Sequence, residues 1–356
     1  MKILAINPGS TSTKIAVYED TKSLWSKTLR HSAEEISVYP KIIDQFEFRK
    51  RIIMESLTEA GFKLNEIESV VGRGGLLKPI PGGVYLVNDL LISDLKKEIM
   101  GEHASNLGGI IANEIAKAIG NNTKAYIVDP VVVDELEDIA RFSGCPELPR
   151  VSIFHALNQK AVARRYARDI NKKYEEISVI VVHLGGGISV GVHKNGRVID
   201  VNNALNGEGP FSPERTGTLP VAALTKLCFS GKYTEAEVLK KLTGQGGMFA
   251  YLGTTNAKDV EDKAAAGDEK CKEIYKAMAY QIAKEIGSAA AVLCGKIDAI
   301  IVTGGLAYSD MLNDWIKEHV SFLAEVKIYP GEDEMAALAE GVYYSSTGEI
   351  EVKEYK

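Results

Sequence analysis

The sequence predicts an α/β protein built as two related halves, each with a mixed sheet flanked by helices. Three observations predict it. An apolar strand runs into a turn rich in glycine and hydroxyl residues twice: once through Ile3, Leu4, Ala5 and Ile6 into Asn7-Pro8-Gly9-Ser10-Thr11-Ser12-Thr13-Lys14, and again through Val179, Ile180, Val181 and Val182 into His183-Leu184-Gly185-Gly186-Gly187-Ile188-Ser189. Each turn leads into another extended segment, so the halves open with hairpins over residues 2–18 and 179–201, and Asn195-Gly196 supplies a tight two-residue turn in the second. Helical periodicity then precedes a compact β-branched strand at residues 299–303, which ends in Gly304-Gly305 as a buried strand delivering its loop to a ligand would.

The remaining elements follow in order. Residues 258–293 read as one long helix, with Cys271, Ile274, Met278, Ile282, Ile286 and Leu293 on one face. Residues 324–329 read as a strand, and 332–344 as an Ala-rich helix starting just past Pro330-Gly331. No low-complexity linker divides the halves, so the boundary near residues 129–134 is soft.

Bulk properties narrow the function classes. A chain of 356 residues that is 45% apolar can bury a large core and suits two domains. Forty-two basic residues against 48 acidic ones give a net charge of −6 with no long run of one sign, which argues against a nucleic-acid partner. No stretch reaches the roughly 18 uninterrupted apolar residues of a membrane span, and Met1-Lys2-Ile3-Leu4 enters a strand directly, so the expectation is a cytoplasmic protein without a membrane partner. Cys145, Cys228, Cys271 and Cys294 are scattered, as reduced thiols would be.

Turns of this kind let backbone N–H and side-chain O–H groups approach phosphoryl oxygens. A Walker loop is excluded, because Gly295-Lys296 continues with Ile297 at a helix end. The dinucleotide fingerprint is disfavoured too, since Gly185-Gly186-Gly187 leads into a second strand rather than a helix. Two strand-turn-strand phosphate loops plus the late Gly304-Gly305 loop resemble the actin-like superfamily of sugar kinases, heat-shock chaperones and acetate kinases. The resemblance sharpens to the acetokinase family of acetate and butyrate kinases. Its motifs are Asn7 to Lys14, Gly72-Arg73-Gly74-Gly75, His103-Ala104-Ser105-Asn106, Asp129, Phe154-His155, His183 to Gly187, Glu214-Arg215-Thr216-Gly217-Thr218 and Thr303-Gly304-Gly305-Leu306, which stand in the family's order across nearly the whole chain. Phe154-His155-Ala156-Leu157-Asn158 replaces the His-Gly-Thr-Ser-His run of acetate kinases, and Gly74-Gly75 follows Arg73 where they have valines, so the chain looks like the butyrate kinase branch.

That resemblance implies two ribonuclease-H-like (actin-like ATPase) domains with an interdomain nucleotide cleft. The first would comprise residues 1–131 plus about 333–356 and carry acyl substrate and phosphate; the second, 132–332, would bind nucleotide. It also implies ATP/ADP and Mg²⁺ as cofactors, a short-chain carboxylic acid as substrate, a homo-oligomer, and reversible phosphoryl transfer from ATP to butyrate or another short or branched fatty acid. Acetate or propionate kinase activity, or an actin-like ATPase switch, are the competing readings. A carboxylate is already ionised at neutral pH, so the reaction needs positioning and charge neutralisation rather than a base.

The catalytic candidates are Arg73, Asp129, His155 and Arg215. The two guanidiniums suit the carboxylate and the transferring phosphoryl, and His155 suits its equatorial oxygens. Arg73, Gly75, His103, Asn106 and Phe154 are expected to line the acyl site, with Gly75 widening it by replacing a valine, each extra buried methylene being worth about 0.8 kcal/mol. Nucleotide and phosphate are expected at Asn7, Ser10, Ser12, Lys14, His183, Gly185, Gly186, Gly187, Asn256, Lys258, Gly304, Gly305 and Leu306; His183 could touch a phosphoryl oxygen or cap its own turn. Metal is expected near Asn7, Asp129, Asp333 and Glu334, although acids at 332–334 also suit a helix start.

Overall fold

The computed structural model describes residues 1–356. In chain order the strands and helices of the first stretch are β1 (Lys2–Pro8), β2 (Ser12–Glu19), β3 (Lys22–Arg30), α1 (Ala33–Ser37), α2 (Phe46–Glu59), β4 (Ser69–Arg73), β5 (Val84–Leu86), α3 (Asp89–Lys97), α4 (Asn106–Ile119) and β6 (Lys124–Val128). There follow α5 (Ala156–Asp169), β7 (Ser178–Leu184), β8 (Ile188–Lys194), β9 (Arg197–Val201), α6 (Val221–Cys228), α7 (Glu235–Thr243), α8 (Gly247–Leu252), α9 (Ala257–Ala265), α10 (Glu269–Val292), β10 (Ala299–Gly304), α11 (Asp310–Val320), β11 (Val326–Pro330), α12 (Glu334–Ser346) and β12 (Val352–Glu354). These elements form two compact units, Met1–Asp134 with Asp333–Lys356, and Glu135–Glu332.

The first unit holds a seven-stranded sheet in the order β12-β5-β6-β4-β1-β2-β3. β1, β2 and β3 form an antiparallel meander, while β4 and β6 run parallel to β1. Central β1 and β4 are buried along most of their length because helices cover both faces, whereas edge strand β3 is exposed and carries Lys22, Lys27 and Arg30. Leu4, Ile6, Val70 and Ile127 of the sheet pack with Leu107, Ile111 and Ile115 of α4. α4 approaches β4 backbone to backbone: a Cβ at Gly108 would lie 2.9 Å from the Arg73 nitrogen. Glycine is required there because no side chain fits between the two chains. α12 supplies Met335, Leu338, Ala339 and Val342 to the interior of the same unit.

The second unit repeats the plan with five strands in the order β11-β10-β7-β8-β9. β7, β8 and β9 again form an antiparallel meander, and β10 and β11 run parallel to β7. One face packs on α10 through Met278, Ile282 and Ile286; the other packs on α5 through Ala163 and Tyr166. Asn195 and Gly196 close the β8–β9 hairpin with φ of 51° and 76°, as a two-residue primed turn requires.

Two expectations need correction. The single helix expected over 258–293 is two helices, α9 and α10, because Gly267 at φ 98° stops the first and Asp268 caps the second by accepting from the Cys271 N–H. The final helix begins at Glu334 rather than 332, since Asp333 is its N-cap and accepts from the Ala336 N–H at 3.0 Å. No helix is long and apolar enough to cross a membrane.

Candidate active site

In the first unit, the turn between β1 and β2 is closed by the Gly9 N–H donating to Ser12 O at 2.7 Å. Ser10 and Lys14 are exposed and Ser12 half-buried. Beneath the turn lies Arg49 of α2, fully buried and opposed by no carboxylate. Its guanidinium donates to the carbonyls of Gly9 (2.8 Å), Ser10 (3.1 Å) and Ser12 (3.0 Å), to Thr13 Oγ1 and to Gln45 Oε1. Burial alone lowers its pKa to about 10, so it stays charged at neutral pH. A buried cation whose partners are all neutral acceptors holds the turn's carbonyls inward and adds positive potential beneath it.

At the C-terminal ends of β1 and β4, Asn7 Nδ2 donates to one oxygen of Glu334 at 2.6 Å and Arg73 pairs with the other. Sequence and chain position separate these three widely; the sheet order and α12 bring them together. His103 accepts at Nδ1 from the Ser105 N–H and is pushed down in pKa by burial first and by Arg73 second. Asp129, buried at the end of β6 with φ 35°, accepts from the Gly83 N–H at 2.7 Å. A non-glycine residue held at positive φ is a costly conformation, here fixed by paired bonds to Gly83.

Two acyl-site expectations change. A Cβ at Gly75 would lie 2.6 Å from Asn106 Cα and 2.7 Å from Leu95 Cδ2, so this glycine admits close packing against α3 and α4 rather than widening a pocket wall. Asn106 is buried and spends its side chain on backbone, accepting from the Leu76 N–H at 2.7 Å and donating to Gly101 O at 2.9 Å. It staples the loop after Arg73 instead of presenting a polar group to substrate.

In the second unit, His155 precedes α5 and stacks on His183 of β7 with ring centroids 3.7 Å apart. His183 Nδ1 donates to Asn158 Oδ1 at 2.8 Å, and its Nε2 stands 3.4 Å from Glu332. Phe154 is buried behind them. In the Gly185-Gly186-Gly187 turn, the Gly185 N–H donates to Gly187 O, and Ser212 Oγ donates to Gly186 O. Arg215 lies across Gly187 where a side chain would overlap its guanidinium, donates from Nη1 to Ala204 O at 2.7 Å, and has Glu214 3.8 Å away. Its Nε is buried without an acceptor. Burial lowers the Arg215 pKa, opposed by Glu214.

The other nucleotide-side expectations divide: Gly304 lies against Leu184 beside this turn, whereas Asn256 and Lys258 serve their own helix. Asn256 is the N-cap of α9, accepting from the Asp259 N–H, and Lys258 pairs with Asp262 on the exposed face of the same helix. Gly304 holds φ 92° because a side chain there would collide with the Leu184 backbone, Gly305 faces open space, and Leu306 packs on the core. Sequence reasoning missed Arg49, which lies in no motif; it gave Asn158 no role although the residue ends the Phe154–Asn158 run, and within the acidic run 332–334 it preferred Asp333 and Glu334 to Glu332.

The Acetokinase family pattern matches residues 147–324. "Butyrate kinase 2" of Clostridium acetobutylicum is 62% identical over 355 residues, covering 100% of this chain and 99% of the relative. The chain belongs to the acetokinase family. "Butyrate kinase 1" of the same organism, another such relative, is 59% identical over 355 residues, with the same 100% and 99% coverage. Among solved structures, acetate kinase of Porphyromonas gingivalis superposes with a TM-score of 0.78 at 18% identity, covering 95% of this chain and 98% of that one. A propionate kinase of Francisella tularensis gives 0.75 at 17% identity, covering 96% and 98%. The acetokinase fold, with its two related mixed sheets, is therefore the actin-like ATPase fold expected from the paired phosphate turns.

Proposed function

We propose that this chain transfers the γ-phosphoryl of ATP reversibly to the carboxylate of butyrate or a similar short or branched fatty acid, giving an acyl phosphate and ADP. The observation that carries this reading is the full-length relation, at 62% identity, to a protein named butyrate kinase. The site geometry supports it. Arg215, partly exposed over a side-chain-free turn, suits a phosphoryl oxygen. His155, stacked on His183, would donate to an equatorial oxygen of the same group. Arg73 would orient the acid, and its present bond to Glu334 would exchange for the incoming carboxylate. The Gly9–Thr13 turn, held by Arg49, would bind phosphate through N–H and O–H groups.

Mg²⁺ would be held by the Glu334 carboxylate and the adjoining Asn7 amide oxygen, with Asp129 the further carboxylate expected and several waters kept by the ion. Bound there, Mg²⁺ would offset phosphate charge. Asp333, committed as a helix cap, is the weaker candidate beside Glu334. The four cysteines are free thiols, which suits a cytoplasmic location.

The test is a hydroxamate assay with Mg·ATP across acetate, propionate, butyrate, isobutyrate and valerate, with Arg73→Ala as control. Acid-dependent acyl phosphate with a butyrate or branched-acid optimum, abolished in the variant, is the expected result. An acetate optimum would move the chain to the acetate kinase reading, and ATP hydrolysis indifferent to acid would return it to a nucleotide switch.

A further inference from the structure

Behind His155 lies a run of buried polar side chains that phosphoryl transfer leaves unexplained. Ser189, Gly191 and His193 share one face of β8 because side chains alternate along a strand. Gln159 of α5 lies over the gap at Gly191, where a Cβ would collide with its amide oxygen. From there Gln159 spans the strand: Nε2 reaches Ser189 O at 3.0 Å and Ser189 Oγ at 2.7 Å, and Oε1 reaches His193 Nε2 at 3.0 Å. His193 Nδ1 is 2.7 Å from Tyr174 Oη, and Ser189 Oγ is 2.8 Å from His155 Nδ1. Gln159, Ser189 and His193 are wholly buried, Tyr174 nearly so, and His155 is half-buried at the end of the run.

The direction of every bond in this chain follows from one fixed point. A backbone carbonyl can only accept, so the Gln159 amide must turn its nitrogen to Ser189 O and its oxygen to His193. The His193 Nε2 therefore carries a proton, and its Nδ1 accepts from the Tyr174 hydroxyl. Ser189 Oγ receives a proton from Gln159, so its own proton goes to its other partner, His155 Nδ1. Any other arrangement leaves a buried donor unmatched, which costs about 1–3 kcal/mol. Burial, reinforced by Lys160 and Arg164, holds His193 well below its usual pKa, in keeping with the neutral ring the chain requires.

We propose that Tyr174, His193, Gln159 and Ser189 form a directed hydrogen-bond chain that fixes His155 as the Nε2–H tautomer, making them positioning residues for the group that meets the phosphoryl oxygens. This rests on the reading of His155 in phosphoryl transfer. The chain keeps His155 a donor at Nε2 and holds its ring against His183, so the N–H is in place before substrate arrives.

Long-range ¹H–¹⁵N correlation spectra of protein labelled at its six histidines read the tautomer directly, with the His155 signals identified by their loss in His155→Gln. The expected result is an Nε2–H His155 in the unsubstituted protein and a mixture of tautomers in Ser189→Ala. In that variant kcat should fall about tenfold or more while KM for ATP and acid moves by less than about twofold, and Ser189→Thr, which keeps the hydroxyl, should recover part of the rate. Tyr174→Phe, isosteric and farthest away, should shift both readouts in the same direction by less. An Nδ1–H His155 in the unsubstituted protein overturns the proposal whether or not any variant folds, as does a tautomer unchanged in Ser189→Ala. Full activity in His155→Gln would instead remove His155 from the reaction while the spectra still judged the chain.

Discussion

At the residue scale, the groups that meet phosphate in the proposed reaction were visible because glycine and arginine leave motifs in a sequence. Their supports were not. Arg49 sits in an ordinary helix, and its role exists only because α2 lies under the Gly9–Thr13 turn. Gln159 and Ser189 are equally anonymous until α5 crosses β8. Replacing Arg49 with lysine keeps the charge but cannot supply a fork to three carbonyls, a hydroxyl and an amide at once. Urea unfolding should show Arg49→Lys less stable by about 2–3 kcal/mol, and KM for ATP should rise; a variant as stable as the parent would mean the clamp is dispensable. The neighbouring His31 gives a pH signature. Its Nε2 contacts Thr13 Oγ1 at 2.9 Å, and burial, with Arg49 second, lowers its pKa from 6.5 to about 4. The folded state resists protonation that the unfolded state accepts, so the stability is complete above pH 6.5 and is lost as the pH falls toward 4. His31→Gln should flatten the unfolding free energy across that window by about 2 kcal/mol relative to the parent, and an unchanged slope would assign it to other groups such as His193.

At the element scale, strands and hairpins were legible wherever apolar runs met turn chemistry, as at Asn195-Gly196. Helix limits were less so: the periodicity of 258–293 continues across Gly267, so face and length were read from a pattern that two helices share. The loop after β4 was misread for a different reason. A glycine replacing a valine looks like space gained, yet whether space exists depends on what packs there, and here Asn106 and Leu95 already fill it. Gly75→Val should therefore lower activity on acetate and butyrate alike and cost about 1–3 kcal/mol or more of stability from overpacking. A loss confined to longer acids, with thermal stability intact, would restore the pocket-wall reading.

At the scale of the whole molecule, the two sheets share a strand order, β3-β2-β1-β4-β6 matching β9-β8-β7-β10-β11, and each meander carries a register shift at the corresponding place, beside Val17 and beside Val192. The repeated turn motif announced that duplication. The debt of the first unit to the far end of the chain was implied by the family resemblance, not by any pattern in the residues themselves. α12 places Leu338, Ala339 and Gly341 in its interior, with Gly341 so close to Val128 that a Cβ would lie 2.7 Å from Cγ1. β12 extends the sheet beside β5, and Tyr355, 2% exposed, donates its hydroxyl to Asp94 at 2.8 Å while its carbonyl accepts from Asn88. Removing residues 347–356 would therefore uncover the β5 edge and leave the Asp94 carboxylate without the phenol that most lowers its pKa. Burial of one aromatic side chain and its hydrogen bond is worth about 3–5 kcal/mol, a large share of the stability of an ordinary domain. Hydrogen exchange on the chain ending at residue 346 should show lost protection in β5, β6 and α3, with β7, β8 and α10 of the second unit still protected; loss of protection in both units together would mean they unfold as a single cooperative body.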